Sequence, residues 1–143
     1  KPLIHDITTD INDPPVYVEV KNLRQAGDNT VEYLTEENAT KQKNAYPDIT
    51  PIMTTLSFDD ALIEATQTVK DLQWEFSNLD YENGIIEAYD SSNLFGFIDD
   101  IVIRVRQDGA GSRLDIRSSS RVGKGDLGKN AERISAFIKS FKS

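Results

Sequence analysis

The chain of 143 residues contains no cysteine, one histidine, one tryptophan and one methionine. Without cysteine there is no disulfide framework, no zinc–thiolate site and no cysteine nucleophile. A zinc site would have to be assembled from His5 and carboxylates, a sparse ligand set. Neither a metal nor a cofactor is expected. No apolar run approaches the ~20 residues that a membrane span needs. Basic residues are also scarce: 16 Lys and Arg stand against 24 Asp and Glu, a formal net charge of -8. Nonspecific nucleic-acid binding needs a basic footprint, so no nucleic acid is expected as partner. An anionic membrane surface would repel the chain unless its charges are segregated. The first residue is Lys1 rather than Met, so an upstream segment is expected, and whether it carries a signal peptide or membrane tether is not written in this sequence.

What is present divides near Pro51. One domain is expected over 1–143, the size of one ordinary core. Residues 1–56 read as an extended arm wrapping a helix–strands–helix core at 57–143. The arm is rich in Asp, Asn, Thr and Pro, as in "HDITTDINDPP" and "QKNAYPDITP", and proline holds the residue before it in extended conformations. Within it "VYVEV" at 16–20 alternates as a short strand would, whereas residues 29–43 show at most a weak helical turn or two.

Beyond Pro51 the patterns sharpen. Ser57 with Asp60 three residues on is a capping-box signature. Phe58, Leu62, Ala65, Val69 and Leu72 then form a helical stripe. "WEFSNL" reads as a strand with Trp74, Phe76 and Asn78 on one face, and Asn83-Gly84 marks a hairpin before "IIEAY". "LFGFI" reads as a further strand with a glycine bend. "DIVIRVRQ" sets Ile101, Ile103 and Val105 against Val102, Arg104 and Arg106. "SRLDIRS" returns with Leu114 and Ile116 inward and Arg113, Asp115 and Arg117 outward. A last helix from about Leu127 carries Ala131, Ile134, Ile138 and Phe141, with Phe137 alongside and Asp126 as its N-cap. Consecutive strands joined by tight turns give an antiparallel sheet. The expected fold is α+β: a two-layer antiparallel sheet of four to five strands with two helices on one face and an extended N-terminal arm.

The stretch "RSSSRVGKGDLGKN" at 117–130 contains G-x-G-x-x-G at Gly123, Gly125 and Gly128. A dinucleotide fold needs a strand after the helix, and here the helix ends the chain. The glycines therefore read as a tight turn from strand to helix. A functional reading remains, in which Arg117, Ser118, Ser120, Arg121 and Lys124 receive an anion at the helix N-terminus. Asp126 opposes it by competing for the same amides. Arg104, Arg106, Arg113 and Arg117 share a sheet face, which makes a local basic surface on an acidic chain. That surface has three readings: a solvated face salt-bridged to Asp115 and Glu87, a platform covered by the acidic arm, or an anion or partner site. Asp6, Asp10 and Asp13 lack the spacing of a calcium-binding EF-hand loop. Asp99 and Asp100 are adjacent in a strand and so face opposite ways. A Ser-His-carboxylate triad would need His5, Asp6 or Asp100, and Ser118 or Ser120.

"HDITTD", "DPP", "YPDI", "IEA", "FGFIDDIVIRV" and "DIRSSSRVGKGDLGKNAERI" together resemble the bacterial and plastid family described as domain of unknown function 1499. The resemblance spans nearly the whole chain. It implies an envelope or membrane-associated setting, consistent with a tether upstream of Lys1, and supplies no activity to transfer. It singles out His5, Asp6, Thr8, Asp10, Asp48, Asp99, Asp100, Arg104, Arg117, Ser118, Ser120, Arg121, Asp126, Asn130 and Arg133, from both ends of the chain. The first expectation is a noncatalytic envelope- or membrane-associated module. It would bind an anionic small molecule, lipid headgroup or envelope protein partner through Arg104, Arg117, Ser118, Ser120, Arg121, Lys124, Asn130 and Arg133. The alternatives are a hydrolase-like enzyme built on His5, and a purely structural domain in which His5, Asp6, Asp10, Asp48 and Asp100 fix the arm.

Overall fold

A computed structural model of the chain describes residues 4–33, 35–91, 96–123 and 128–142. The element order is β1 (Asp6–Thr8), α1 (Val20–Leu23), α2 (Thr35–Ala45), β2 (Ile52–Thr54), α3 (Phe58–Asp71), β3 (Glu75–Asp80), β4 (Ile85–Asp90), β5 (Asp99–Asp108), β6 (Gly111–Ser120) and α4 (Lys129–Ser140). The fold is α+β, with one open antiparallel sheet in the order β1-β6-β5-β4-β3 and β2 also paired with β6.

The helices form for local reasons. Ser57 sits in an extended conformation and its hydroxyl accepts the Asp60 amide at 3.1 Å, which caps α3. The stripe then buries Leu62, Ala65 and Val69, while Phe58 and Leu72 pack at its ends. In α4, Ala131, Ile134 and Phe137 are buried. Ile134 and Phe137 share one apolar cluster with the α3 stripe and with Ile86, Ala88, Ile101, Ile103, Val105, Leu114 and Ile116, the alternate positions of β4, β5 and β6. Trp74 and Phe137 stack at 6.0 Å within it.

Several local expectations are corrected. The sheet has six strands among the described residues rather than four to five, because the arm supplies two. "VYVEV" is not a strand. Tyr17 is buried, Val16 and Val18 are exposed, and Val20 opens α1. Residues 35–45 form three turns of helix with no apolar stripe. A β-bulge between Phe76 and Asn78 moves Asn78 to the face of Glu87, away from Trp74 and Phe76. Of "LFGFI", residues 96–98 are not in a strand, and Leu94 and Phe95 lie outside the described residues. Helix α4 starts at Lys129 with Gly128 at the N-cap position, φ 91°. Its cap thus falls beyond Asp126, which with Lys124, Gly125 and Leu127 lies outside the described residues.

The arm closes one sheet edge by an unusual division. β1 pairs with Arg117–Ser119 and β2 with Ser112–Leu114 along the same edge of β6. Between them Asp115 and Ile116 have no strand opposite. Thr9 fills that gap: its amide donates to the Ile116 carbonyl at 2.9 Å, and its hydroxyl accepts the Ile116 amide at 2.9 Å while donating to Asp115 at 2.6 Å. On the outer side of β1 the Gln42 side chain acts like one more strand residue. Its Oε1 accepts the Thr8 amide at 3.0 Å and its Nε2 donates to the Thr8 carbonyl at 2.6 Å. At Thr8 the edge is thus covered rather than left open for another chain. It also explains why α2 carries no apolar stripe: its docking contact is an amide.

β2 approaches β6 so closely that a Cβ on Gly111 would lie 2.1 Å from the Thr54 carbonyl oxygen. Gly111→Ala is expected to force β2 off the edge and to cost about 1–3 kcal/mol in denaturant unfolding, the range of overpacking effects. Gly109→Ala meets open space but takes a left-handed φ of +58°, so its cost is expected to be backbone strain alone, about 1 kcal/mol. A Gly111→Ala variant as stable as wild type would refute the close approach.

Candidate functional site: a buried arginine–aspartate network

The sheet surface opposite α3 and α4 carries alternate residues of the same strands. β5 presents Asp100, Val102 and Arg104, and β6 presents Arg113, Asp115, Arg117 and Ser119. The register sets Arg104 opposite Asp115 and Val102 opposite Arg117. β1 adds Asp6 beside Ser119. This is the basic face expected from the sequence, and the acidic arm lies over it.

Arg117 is its centre. Its Nε and Nη2 donate to the two Asp6 carboxylate oxygens at 2.9 and 2.7 Å. Its remaining bonds go to the carbonyls of Pro15 at 2.9 Å and Val31 at 2.6 Å. One guanidinium thus ties three separate arm segments to β6. The Tyr17 ring lies 4.6 Å from Arg117 Cζ, and the Tyr33 ring 5.7 Å, both within cation–π reach. Asp6 is fully buried and Arg117 is 2% exposed. Burial pushes the Asp6 carboxyl above its ordinary range, and Arg117 opposes that shift.

Two flanking clusters repeat the arrangement. Asp100 takes a two-pronged contact from Arg121 at 2.8 and 2.9 Å and a second guanidinium, Arg24, at 3.2 Å. Arg24 also donates to Ser119 at 2.9 Å and to the carbonyls of Asn29 and Thr30. The Tyr17 hydroxyl bonds the Asp100 carbonyl and Ser119 Oγ, each at 2.8 Å. At the other end Arg104 reaches Asp10 and Asp115 at 3.4 Å, and Arg113 reaches them at 3.1 and 2.8 Å. Asp13 pairs with Arg106 at 3.1 Å. Glu87, fully buried, meets no arginine; it accepts the amides of Val18, Glu19 and Val20 and the Asn78 side chain. It therefore satisfies the unpaired amides at the start of α1.

Ser118, Ser120, Asn130 and Arg133 lie on the side of the sheet covered by α3 and α4. Ser118 donates to Asn130 Oδ1 at 2.6 Å, Asn130 Nδ2 donates to Ser120 at 3.0 Å, and Arg133 donates to Ser118 at 3.2 Å. Arg133 also binds Asp90 at 3.0 Å and Asp99 at 2.9 Å. The three serines belong to β6 rather than to a loop, and all are buried. As the strand period requires, Asp99 and Asp100 serve opposite faces.

The predicted residues thus separate into two groups. Arg104, Arg117, Arg121, Asp6, Asp10 and Asp100 meet beneath the arm; Ser118, Ser120, Asn130 and Arg133 meet beneath α4. Of the residues named for a triad, Asp6 and Asp100 bind arginines on one side of the sheet, while Ser118 and Ser120 bind Asn130 on the other. His5 contributes its backbone carbonyl, which accepts the Ser120 amide at 2.8 Å. Asp48 does not join the network and is exposed between α2 and β2; Asp6 and Asp100 take the place expected of it. Lys124 lies outside the described residues. Sequence reasoning missed Arg24, Tyr17, Thr9, Gln42, Asp90 and the amide-bound role of Glu87. The available signals were that Arg24 is the arm's one arginine and that Glu87 interrupts an apolar strand.

Arg117→Met leaves the Asp6 carboxyl buried without its partner. Unfolding measurements are expected to show a loss of about 3–5 kcal/mol. Adding Asp6→Leu should return part of it and not all, since the Pro15 and Val31 carbonyls still lose their donor. A single variant as stable as wild type would overturn the central place given to this pair.

Burial, with Asp6 adding to it and Arg117 opposing, pushes the Tyr33 hydroxyl up to about 12; burial also raises Tyr17. Both bind their protons more tightly folded than unfolded. Their contribution to stability is therefore intact below the unfolded value of about 10 and is lost as pH rises through the folded one. Ultraviolet titration should show a tyrosinate step near pH 12 that Tyr33→Phe removes. A Tyr33 step near 10 in the folded protein would place that hydroxyl in water.

No curated protein matches the chain. A family model does, over residues 6–141, under the description "Protein of unknown function (DUF1499)". The match begins at the aspartate that anchors β1 and ends just after α4, so it takes in the arm together with the sheet and helices that the network joins. The chain belongs to the DUF1499 family.

Proposed function

We propose that this domain is a noncatalytic binding module whose partner is a protein. One observation carries the reading: all seven arginines of the chain are ion-paired with aspartates. The pairs engage seven aspartates in turn, Asp6, Asp10, Asp13, Asp90, Asp99, Asp100 and Asp115. Of the expected ligands, an anionic small molecule or lipid headgroup would have to displace a carboxylate already held in good geometry. Once seven arginines and seven aspartates cancel, nine lysines remain against seventeen acidic side chains. The charge left for recognition is therefore negative and favours a basic partner surface. Envelope or membrane association, implied by the family resemblance, is part of this proposal. A hydrolase reading finds less support, since the serine hydroxyls are buried and bonded to Asn130 and Arg133.

Thermal melting against phosphate and phosphorylated headgroups at millimolar concentration tests the reading. No rise in midpoint is expected for the wild type, and Arg117→Gln with Arg121→Gln should lower stability without any ligand. A saturable rise with phosphate that the double variant loses would restore an anion site and sink the proposal.

A further inference from the structure

Between the arm and the sheet lies a cavity of about 330 Å³. Its walls are Pro14, Val16, Tyr17, Val31, Glu32 and Tyr33, with Arg117 also lining it. Two aromatic rings and three aliphatic side chains make an apolar interior of the kind that takes a flat or extended organic group. Val16, at the wall, is 68% exposed, and Val18 beside it 44%, so apolar surface continues outward from the cavity.

The charges around this cavity decide what it favours. Arg117 is neutralised by Asp6, and four of its N–H groups are already directed at Asp6, Pro15 and Val31. Asp13, also on the wall, is matched by Arg106 and Arg104. Among the described residues lining the cavity, Glu32 alone carries a charge with no ion-pair partner, and it is exposed. Both tyrosine rings already lie against Arg117, so they serve as apolar walls and Glu32 supplies the charge preference. An anion would meet Glu32 and a guanidinium already committed elsewhere; an apolar group with a positive end would meet aromatic and aliphatic walls and then a free carboxylate.

We infer that this cavity is a binding site for an organic cation on an apolar body, presented by a partner protein as an arginine or lysine side chain. This rests on the binding-module reading and gives it a site and a chemistry. The probes are phenethylammonium, neutral phenylethanol, phenylacetate, and a blocked peptide with one arginine between two leucines, each titrated into the intact domain by NMR. Small probes of this size are expected to bind at about millimolar strength. The ammonium should bind at least about threefold more tightly than the alcohol, the scale of one exposed charge a few ångströms away. The peptide should bind more tightly than the ammonium and shift the same tyrosine and valine signals. Glu32→Gln changes an exposed side chain, so the fold survives; it should erase the preference for the cation and leave phenylethanol unchanged. Salt should weaken the cation alone.

Equal binding of ammonium and alcohol would overturn the cation while leaving a binding module. Tighter binding of the free amine than of the peptide would overturn the protein source. Absence of binding by every probe would remove the site, with the phosphate melts still deciding the wider reading. Preference for phenylacetate would overturn both.

Discussion

Asp6 and Arg117 are 111 positions apart and meet in a two-pronged ion pair with almost no access to water. Much of the structure depends on that contact. Arg117 is fixed one strand in from the sheet edge, with β5 on one side and β1 on the other. From there it holds β1 through Asp6, the Pro15 turn through one carbonyl and the Val31 segment through another. A buried guanidinium requires such partners, because leaving any of its charge or its donors unmatched would cost several kcal/mol. The course the arm takes over the sheet supplies them all.

The same logic extends outward. Asp100 joins Arg24 of the arm to Arg121 at the end of β6, and Asp10 joins the arm to Arg104 and Arg113. Each carboxylate is shared, so no pair is independent of its neighbours, and charge substitutions within the network will not be additive. Apolar packing on this face is small, limited to Tyr17, Val20, Val102 and the residues around them. Polar geometry, rather than apolar area, selects the path of the arm. The opposite face works conventionally, through Leu62, Val69, Ile134, Phe137 and the strand residues beneath them.

A chemical consequence follows. Arginine is the side chain best suited to bind an anion, and a sequence with Arg117, three serines and Arg121 in a row invites that reading. Here those arginines are used up inside the molecule. In the proposed reading, the acidic balance that remains and the tyrosine-lined space beneath the arm turn recognition towards cations. Arg133 shows the same economy on the other face, where it joins Asp90, Asp99, Ser118 and Asn130.

Strand and helix patterns with short-range causes were legible in the sequence. The Ser57 cap, the α3 and α4 stripes, the alternation of Ile101, Ile103 and Val105, and the opposed faces of Asp99 and Asp100 all depend on residues a few positions apart. So did the presence of a basic face, because alternation alone lines up Arg104 and Arg117. What the sequence could not determine was long-range pairing. β1 and β2 are three-residue strands that exist because β6 offers them an edge. α2 docks through Gln42 and leaves no apolar period to detect. Asn78 changes face because of a bulge that appears only when β3 meets β4. The identity of each arginine's partner belonged to the tertiary structure alone, since charge attraction has no sequence period and only the folded backbone brings Asp6, rather than Asp48, to Arg117.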